Sequence, residues 1–241
     1  MSTLTAAPGN RWQTPPFPFS AGGKSGSVPY FPSACRSFAP VFHADARVLV
    51  LGSMPGAASL AAAEYYAHPR NAFWPIMGAL FGAGPDLPYA ERLQRLNAAG
   101  VALWDVIGAC ERTGSLDSAI APESIVANDF AALFEACPRI GHVFFNGAAA
   151  EAAFRRHVRG RVALPPLHFN RLPSTSPAHA ARDFEAKLAA WQAVRSATRI
   201  DEGTEDRLPR STLRTPAATA LAAEHMTVVH PTQTTSATHA A

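Results

Sequence analysis

Apolar residues in this chain fall into short, nearly unbroken runs, separated by Ala- and Leu-rich segments of helical period. Val48-Leu49-Val50-Leu51, Gly100 to Ile107 (GVALWDVI) and His142-Val143-Phe144-Phe145 are three such runs. Their β-branched and aromatic content and lack of polar alternation predict strands buried on both faces. Leu164 to Phe169 predicts a weaker fourth strand. Between them, Ser59 is placed to cap a short helix over Leu60 to Tyr65, and an Ala/Leu/Arg segment from Pro88 to Ala99 predicts another. Asn128-Asp129 is a cap signal for a helix carrying Phe130, Leu133 and Phe134 on one face and stopped by Pro138. Ala148 to Val158 predicts a further helix, and Ala178 to Val194 a last amphipathic one with Phe184, Leu188 and Trp191 on one side.

Strand and helix alternate, which predicts an α/β fold: one three-layer domain, a central mostly parallel sheet with helices on both faces. The domain is expected over residues 37–196. Residues 1–36 are rich in Pro, Gly and Ser, and 197–241 in Ala and Thr, without hydrophobic period. Both are expected to be disordered tails.

Composition narrows the function classes. The formal net charge of +3 announces no polyanion binder by itself. Cys35, Cys110 and Cys137 form no CxxC pair, which argues against a zinc site, an iron–sulfur cluster or a disulfide framework. No metal or other cofactor is expected. The first residues lack the apolar core of a secretory leader, and no stretch approaches the roughly 18 apolar residues of a membrane span. The expectation is a soluble, cytoplasmic monomer without membrane contact.

The chemistry collects after strands. Gly52-Ser53-Met54-Pro55-Gly56 breaks the first strand, and the segment that follows carries Tyr65, Tyr66, His68, Asn71, Phe73 and Trp74. Asp105 ends the second strand, and Pro173-Ser174-Thr175-Ser176-Pro177 follows the last. In a doubly wound sheet these ends share one rim, where ligands bind. Ser174-Thr175-Ser176 offers donors to a phosphate, and Tyr65 or Tyr66 offers a stacking face to a base. Asp105 offers an acceptor to a ring N–H, and Asn71 an amide able to hold a water; Phe73 and Trp74 read as core. The first turn is neither a GxGxxG nor a lysine-bearing phosphate loop, which disfavours an ordinary nucleotide-binding enzyme.

Taken together and in order, three segments resemble the uracil-DNA glycosylase superfamily. Gly52 to Gly56 is similar to its first motif. His68-Pro69-Arg70-Asn71-Ala72-Phe73-Trp74 is similar to the His-Pro-x-Asn-x-Phe-Trp stretch of its mismatch-specific branch. Leu172 to Ala178 is similar to its Pro-Ser loop. The pattern is most similar to that of the hypoxanthine-DNA (DNA-deoxyinosine) glycosylases, over roughly residues 40–195.

The resemblance implies excision of deaminated bases, above all hypoxanthine, from double-stranded and possibly single-stranded DNA. The alternatives are a uracil or G·U/T mismatch glycosylase, or a catalytically silent damage binder, because Met54 stands where most branches carry Asp or Asn and has no acid–base chemistry. By the resemblance, Asn71 is the catalytic residue and orients water. Tyr66, Asp105, Met54 and Ser53 contact the base; Gly52, Pro55, Gly56, His68, Pro173, Ser174, Thr175 and Ser176 contact DNA. Lys24 and Lys187 are the only lysines, and neither lies in these loops. A Schiff base with the sugar is therefore not expected, which predicts a monofunctional enzyme that leaves an abasic site.

Overall fold

The computed structural model describes residues 34–199; the expected tails lie outside that range except at its two ends, where Ala34–Arg36 forms a strand, β1, and Ala197 and Thr198 complete the last helix instead of starting a disordered tail. The other strands are β2 (Val48–Gly52), β3 (Val101–Asp105), β4 (Ile107–Glu111), β5 (Val126–Ala127), β6 (His142–Asn146) and β7 (His168–Leu172). The helices are α1 (Ala57–Ala62), α2 (Phe73–Phe81), α3 (Tyr89–Ala98), α4 (Phe130–Ala136), α5 (Ala148–His157) and α6 (Phe184–Thr198).

Four strands form a wholly parallel sheet in the order β3-β2-β6-β7. β2 and β3 are buried at every residue, as their unbroken apolar runs require. In register, Leu51, Trp104 and Phe145 lie side by side. Trp104 and Phe145 meet Phe130 of α4 and Phe154 of α5 on that face. Helix α6 packs on α2, β2 and β7, and α3 on β3, covering the other face. Phe73 of α2 and Trp191 of α6 are fully buried and meet edge to face with centroids 5.9 Å apart. A buried side chain of this size stabilises the fold by about 1.5–3 kcal/mol.

The parallel strands carry the chain order second-first-third-fourth, so the order reverses between β2 and β6. Ligands bind at that point, outside the carboxyl ends. The register puts Gly52, Asp105, Asn146 and Leu172 on this rim.

Several elements differ from expectation. The run Gly100 to Ile107 is two strands: β3 ends at Asp105, and β4 leaves for a second, antiparallel sheet with β1 and β5. There Cys35 and Cys110 face one another, both as thiols. Gly56, not Ser59, is the N-cap of α1; Ser59 is buried and its hydroxyl accepts from the Ala67 amide at 3.2 Å. The last strand lies at 168–172 rather than 164–169. The last helix starts after Asp183, whose side chain accepts from the Ala186 amide at 2.8 Å, rather than at Ala178. The Asp129 cap of α4 is as expected, accepting from the Ala132 amide.

Candidate active site

The carboxyl rim opens into a cavity of about 460 Å³. It is lined by the Gly52–Gly56 turn, by Tyr66, His68 and Asn71, by Asp105, and by Ser174, Thr175 and Ser176. The sequence-derived candidates are thus brought together, Pro173 excepted. Pro173 stands behind the wall, its carbonyl accepting from Trp191 Nε1 at 3.0 Å.

Asp105 forms part of the floor. It is almost fully buried, and its Oδ2 accepts from the Ser37 hydroxyl at 2.8 Å. Its Oδ1 lies against Gly52, where any Cβ would collide with it and would also stand 3.1 Å from the Tyr66 hydroxyl. Glycine at position 52 is what lets this carboxyl approach the first turn. Burial pushes the Asp105 pKa up to about 7. The Ser37 hydrogen bond and the Arg112 cation oppose that rise, and the Asp117 charge adds to it. Near neutrality this group exists both as acid and as carboxylate.

Tyr66 has a left-handed backbone (φ 56°) and stacks one ring face on Phe73, with centroids 4.0 Å apart and planes 27° from parallel. Its hydroxyl is buried and in hydrogen-bond geometry with no partner among the described residues, although the Asn146 amide is near enough to favour its ionised form weakly. Burial nonetheless holds it firmly protonated. Tyr65 is core: its carbonyl accepts from Trp74 Nε1 at 2.8 Å.

Asn71 is half-buried on the cavity wall. Its Oδ1 accepts from the Phe73 amide at 3.0 Å, an Asx turn that starts α2. That bond orients the amide and leaves its NH₂ and a second lone pair for a water. His68 Nδ1 accepts from the Arg70 amide at 3.1 Å, so in the neutral ring the proton sits on Nε2.

Two residues lock the loop that faces Asn71. The Asn146 amide donates to Thr175 Oγ1 and accepts from the Thr175 backbone N–H, both at 2.8 Å. The Thr175 carbonyl in turn accepts from the Ala72 amide at 3.0 Å, tying this loop to the Asn71 segment. Thr175 is buried, whereas Ser174 and Ser176 remain partly open to the cavity.

Met54 is buried, packed with Ile107, Cys110 and Ile120. Ser53 donates to Asp117 Oδ1 at 2.8 Å. Beneath the turn, buried Arg112 donates from Nη2 to the Pro55 carbonyl at 2.6 Å and from Nε to the Gly114 carbonyl at 3.0 Å. Its Nη1 is buried without a partner among the described residues. Lys187 reaches the segment that follows the Ser174–Ser176 loop, where its ammonium donates to the His179 carbonyl at 2.9 Å; it does not line the cavity.

The uracil DNA glycosylase superfamily model matches residues 39–195, the whole body that carries this cavity. The chain belongs to the uracil DNA glycosylase superfamily. It is similar to the hypoxanthine DNA glycosylase of Methanosarcina acetivorans, 34% identical over 66% of this chain and 96% of that protein. It is also similar to the hypoxanthine DNA glycosylase of Methanosarcina barkeri, 37% identical over 46% and 70%. A solution NMR structure from Methanosarcina acetivorans, provisionally named a uracil DNA glycosylase, has 32% identity and a TM-score of 0.57. The match covers 68% of this chain and 98% of that one.

In this superfamily member, sequence reasoning passed over Asn146, Asp117 and Arg112. Asn146 ends an apolar strand and precedes Gly147, which reads as an ordinary turn. Its partner Thr175 is 29 residues away, and no local signal announces such a pair. Arg112 and Asp117 lie between β4 and β5 of the second sheet, whose short strands left no clear pattern.

Proposed function

We propose that this chain is a monofunctional DNA glycosylase of base-excision repair that hydrolyses the N-glycosidic bond of deaminated nucleotides, hypoxanthine foremost. The observation that carries the reading is the cavity at the strand-order reversal, where an aromatic ring, a buried carboxyl and an oriented amide converge. Similarity to two hypoxanthine DNA glycosylases supports the choice of base.

A base inside a duplex is out of reach of such a cavity, so the nucleotide must leave the stack, which costs least at a mispair. The partner is accordingly double-stranded DNA with a deaminated base, taken by a monomer. Tyr66 supplies the stacking surface, and Asp105 meets the hydrogen-bonding edge of the base. Ser53 and Met54 line the remaining wall. As the bond to the sugar lengthens, positive charge grows on the sugar and negative charge on the base. Asn71 holds the attacking water; as a neutral amide it positions rather than deprotonates. Gly52, Pro55, Gly56 and His68 approach the strand from one side. Ser174 and Ser176 meet its phosphates from the other, on a loop held rigid by Thr175 and Pro173. Met54 packs as an apolar anchor, so the missing acid at that position does not by itself imply lost activity. Among the described residues no lysine lines the cavity, in keeping with a single-step hydrolysis.

The test is single-turnover release of hypoxanthine from a duplex oligonucleotide by the native chain and by Asn71→Ala. A fall of about 10²-fold or more with unchanged DNA binding supports the assignment; an unchanged rate removes Asn71 from the mechanism.

A further inference from the structure

The Asp105 carboxyl is built into the cavity floor at some cost. The first turn gives up a side chain at Gly52 to admit it, and its burial is nearly complete. A group that only accepted a ring N–H would gain from flanking cations. The groups facing Asp105 are instead the Ser37 hydroxyl from the segment after β1, the Tyr65 and Tyr66 phenols, Asp117 from the loop after β4, and a single cation, Arg112, whose effect is smaller than that of burial. Ser37 occupies Oδ2, while Oδ1 faces the Gly52 turn that lines the cavity.

We infer that Asp105 is a catalytic acid, whose carboxyl protonates the purine at N7 as the base departs. This rests on the glycosylase reading above and extends it. A purine offers a basic ring nitrogen at that edge, which a pyrimidine lacks, so the device is specific for a purine such as hypoxanthine. In the step, the C1′–N9 bond breaks and its electron pair goes to the base. The proton passes from the Asp105 carboxyl to N7, so the base leaves neutral and Asp105 remains as carboxylate. Water held by Asn71 forms the new C1′–O bond and loses its proton to solvent, and Asp105 regains a proton from solvent once the base has left. The pKa of about 7 agrees with this use, because a substantial fraction of the carboxyl is protonated at neutral pH. The active form is the acid, so the rate is full below pH 7 and declines above it.

The experiment is single-turnover release of hypoxanthine at saturating enzyme between about pH 5 and 9, for the native chain, Asp105→Asn and Ser37→Ala. The native rate should fall with one proton lost above about pH 7. Asp105→Asn should be slower by about 10²–10⁴-fold in the acid plateau and flat across the window. Ser37→Ala removes a hydrogen bond that favours the carboxylate, so its falling limb should move to higher pH; this arm serves even if Asp105→Asn folds poorly. A duplex carrying 7-deazahypoxanthine should bind as the natural base does and be released no faster by the native chain than by Asp105→Asn. A native rate independent of pH, or a falling limb retained in Asp105→Asn and unmoved in Ser37→Ala, overturns the acid role while leaving a working glycosylase. No hypoxanthine release at any pH refutes the glycosylase reading itself.

Discussion

Asn146 at the end of β6 grips Thr175 with both atoms of its amide, at 2.8 Å each. The two residues stitch the Ser174–Ser176 loop onto the sheet rim. Asn146→Ala strands the buried Thr175 N–H and hydroxyl, each loss costing about 1–3 kcal/mol. The midpoint of denaturant unfolding should fall accordingly, and base release should fall with it, because the loop no longer holds its position. Gly147 supports the same contact: its φ of 96° and the 2.8 Å that would separate an added Cβ from Ser174 Cβ leave no room for a methyl group. Gly147→Ala should reproduce both losses.

Gly52→Ala tests the floor of the cavity. The backbone there is not in the left-handed region, so the substitution carries no conformational penalty of its own. The added methyl nonetheless meets Asp105 Oδ1, and the carboxyl must turn away. Base release should drop by about 10²-fold or more, with a smaller change in Tm than for Gly147→Ala.

Asp105 should also shape stability against pH. Its folded pKa, about 7, lies above the unfolded value of 3.8. Below pH 3.8 both states hold the proton, and the group is neutral in its effect. As pH rises through the interval to about 7, the unfolded state ionises first, and stability falls. Above pH 7 the full penalty persists. It is on the order of a few kcal/mol, since each tenfold difference in proton affinity between the folded and unfolded states is worth about 1.4 kcal/mol. Asp105→Asn should therefore raise Tm at about pH 8 and leave it nearly unchanged at about pH 4. A variant more stable and less active is the expected signature of a group kept for chemistry.

Arg112 props the first turn from below through the Pro55 carbonyl. Arg112→Met leaves the Pro55 and Gly114 carbonyls without this donor, at about 1–3 kcal/mol for each buried group left unsatisfied. Thermal unfolding should register the loss, and base release should fall because the turn that faces the base is no longer braced.

Much of this was legible in the chain itself. Val48 to Leu51 and His142 to Phe145 announced themselves because a strand covered on both faces must be continuously apolar. Asp129 announced α4 because a cap is a local device. Gly52, Asp105, Asn71 and Tyr66 could be placed on one rim because strand ends in a parallel sheet share a side. The remainder depended on distance. β4 runs on from β3 after Val106 alone, so one apolar stretch hid a change of sheet. Pro75 and Gly78 obscured α2, although a proline in the first turn of a helix is tolerated. The exposed, mixed residues of β7 gave no buried run to detect. Thr175 offers a polar hydroxyl that the sequence leaves without a partner; its bond to Asn146 becomes visible only once the sheet is assembled.

The most direct measurement is base release from matched duplexes carrying one hypoxanthine, uracil, xanthine or G·T mismatch, read as alkali-labile sites. The account predicts an abasic site at hypoxanthine first and fastest, with the sugar left intact. Binding to the same duplexes without release of any base would contradict it, and would make this chain a silent reader of damaged DNA.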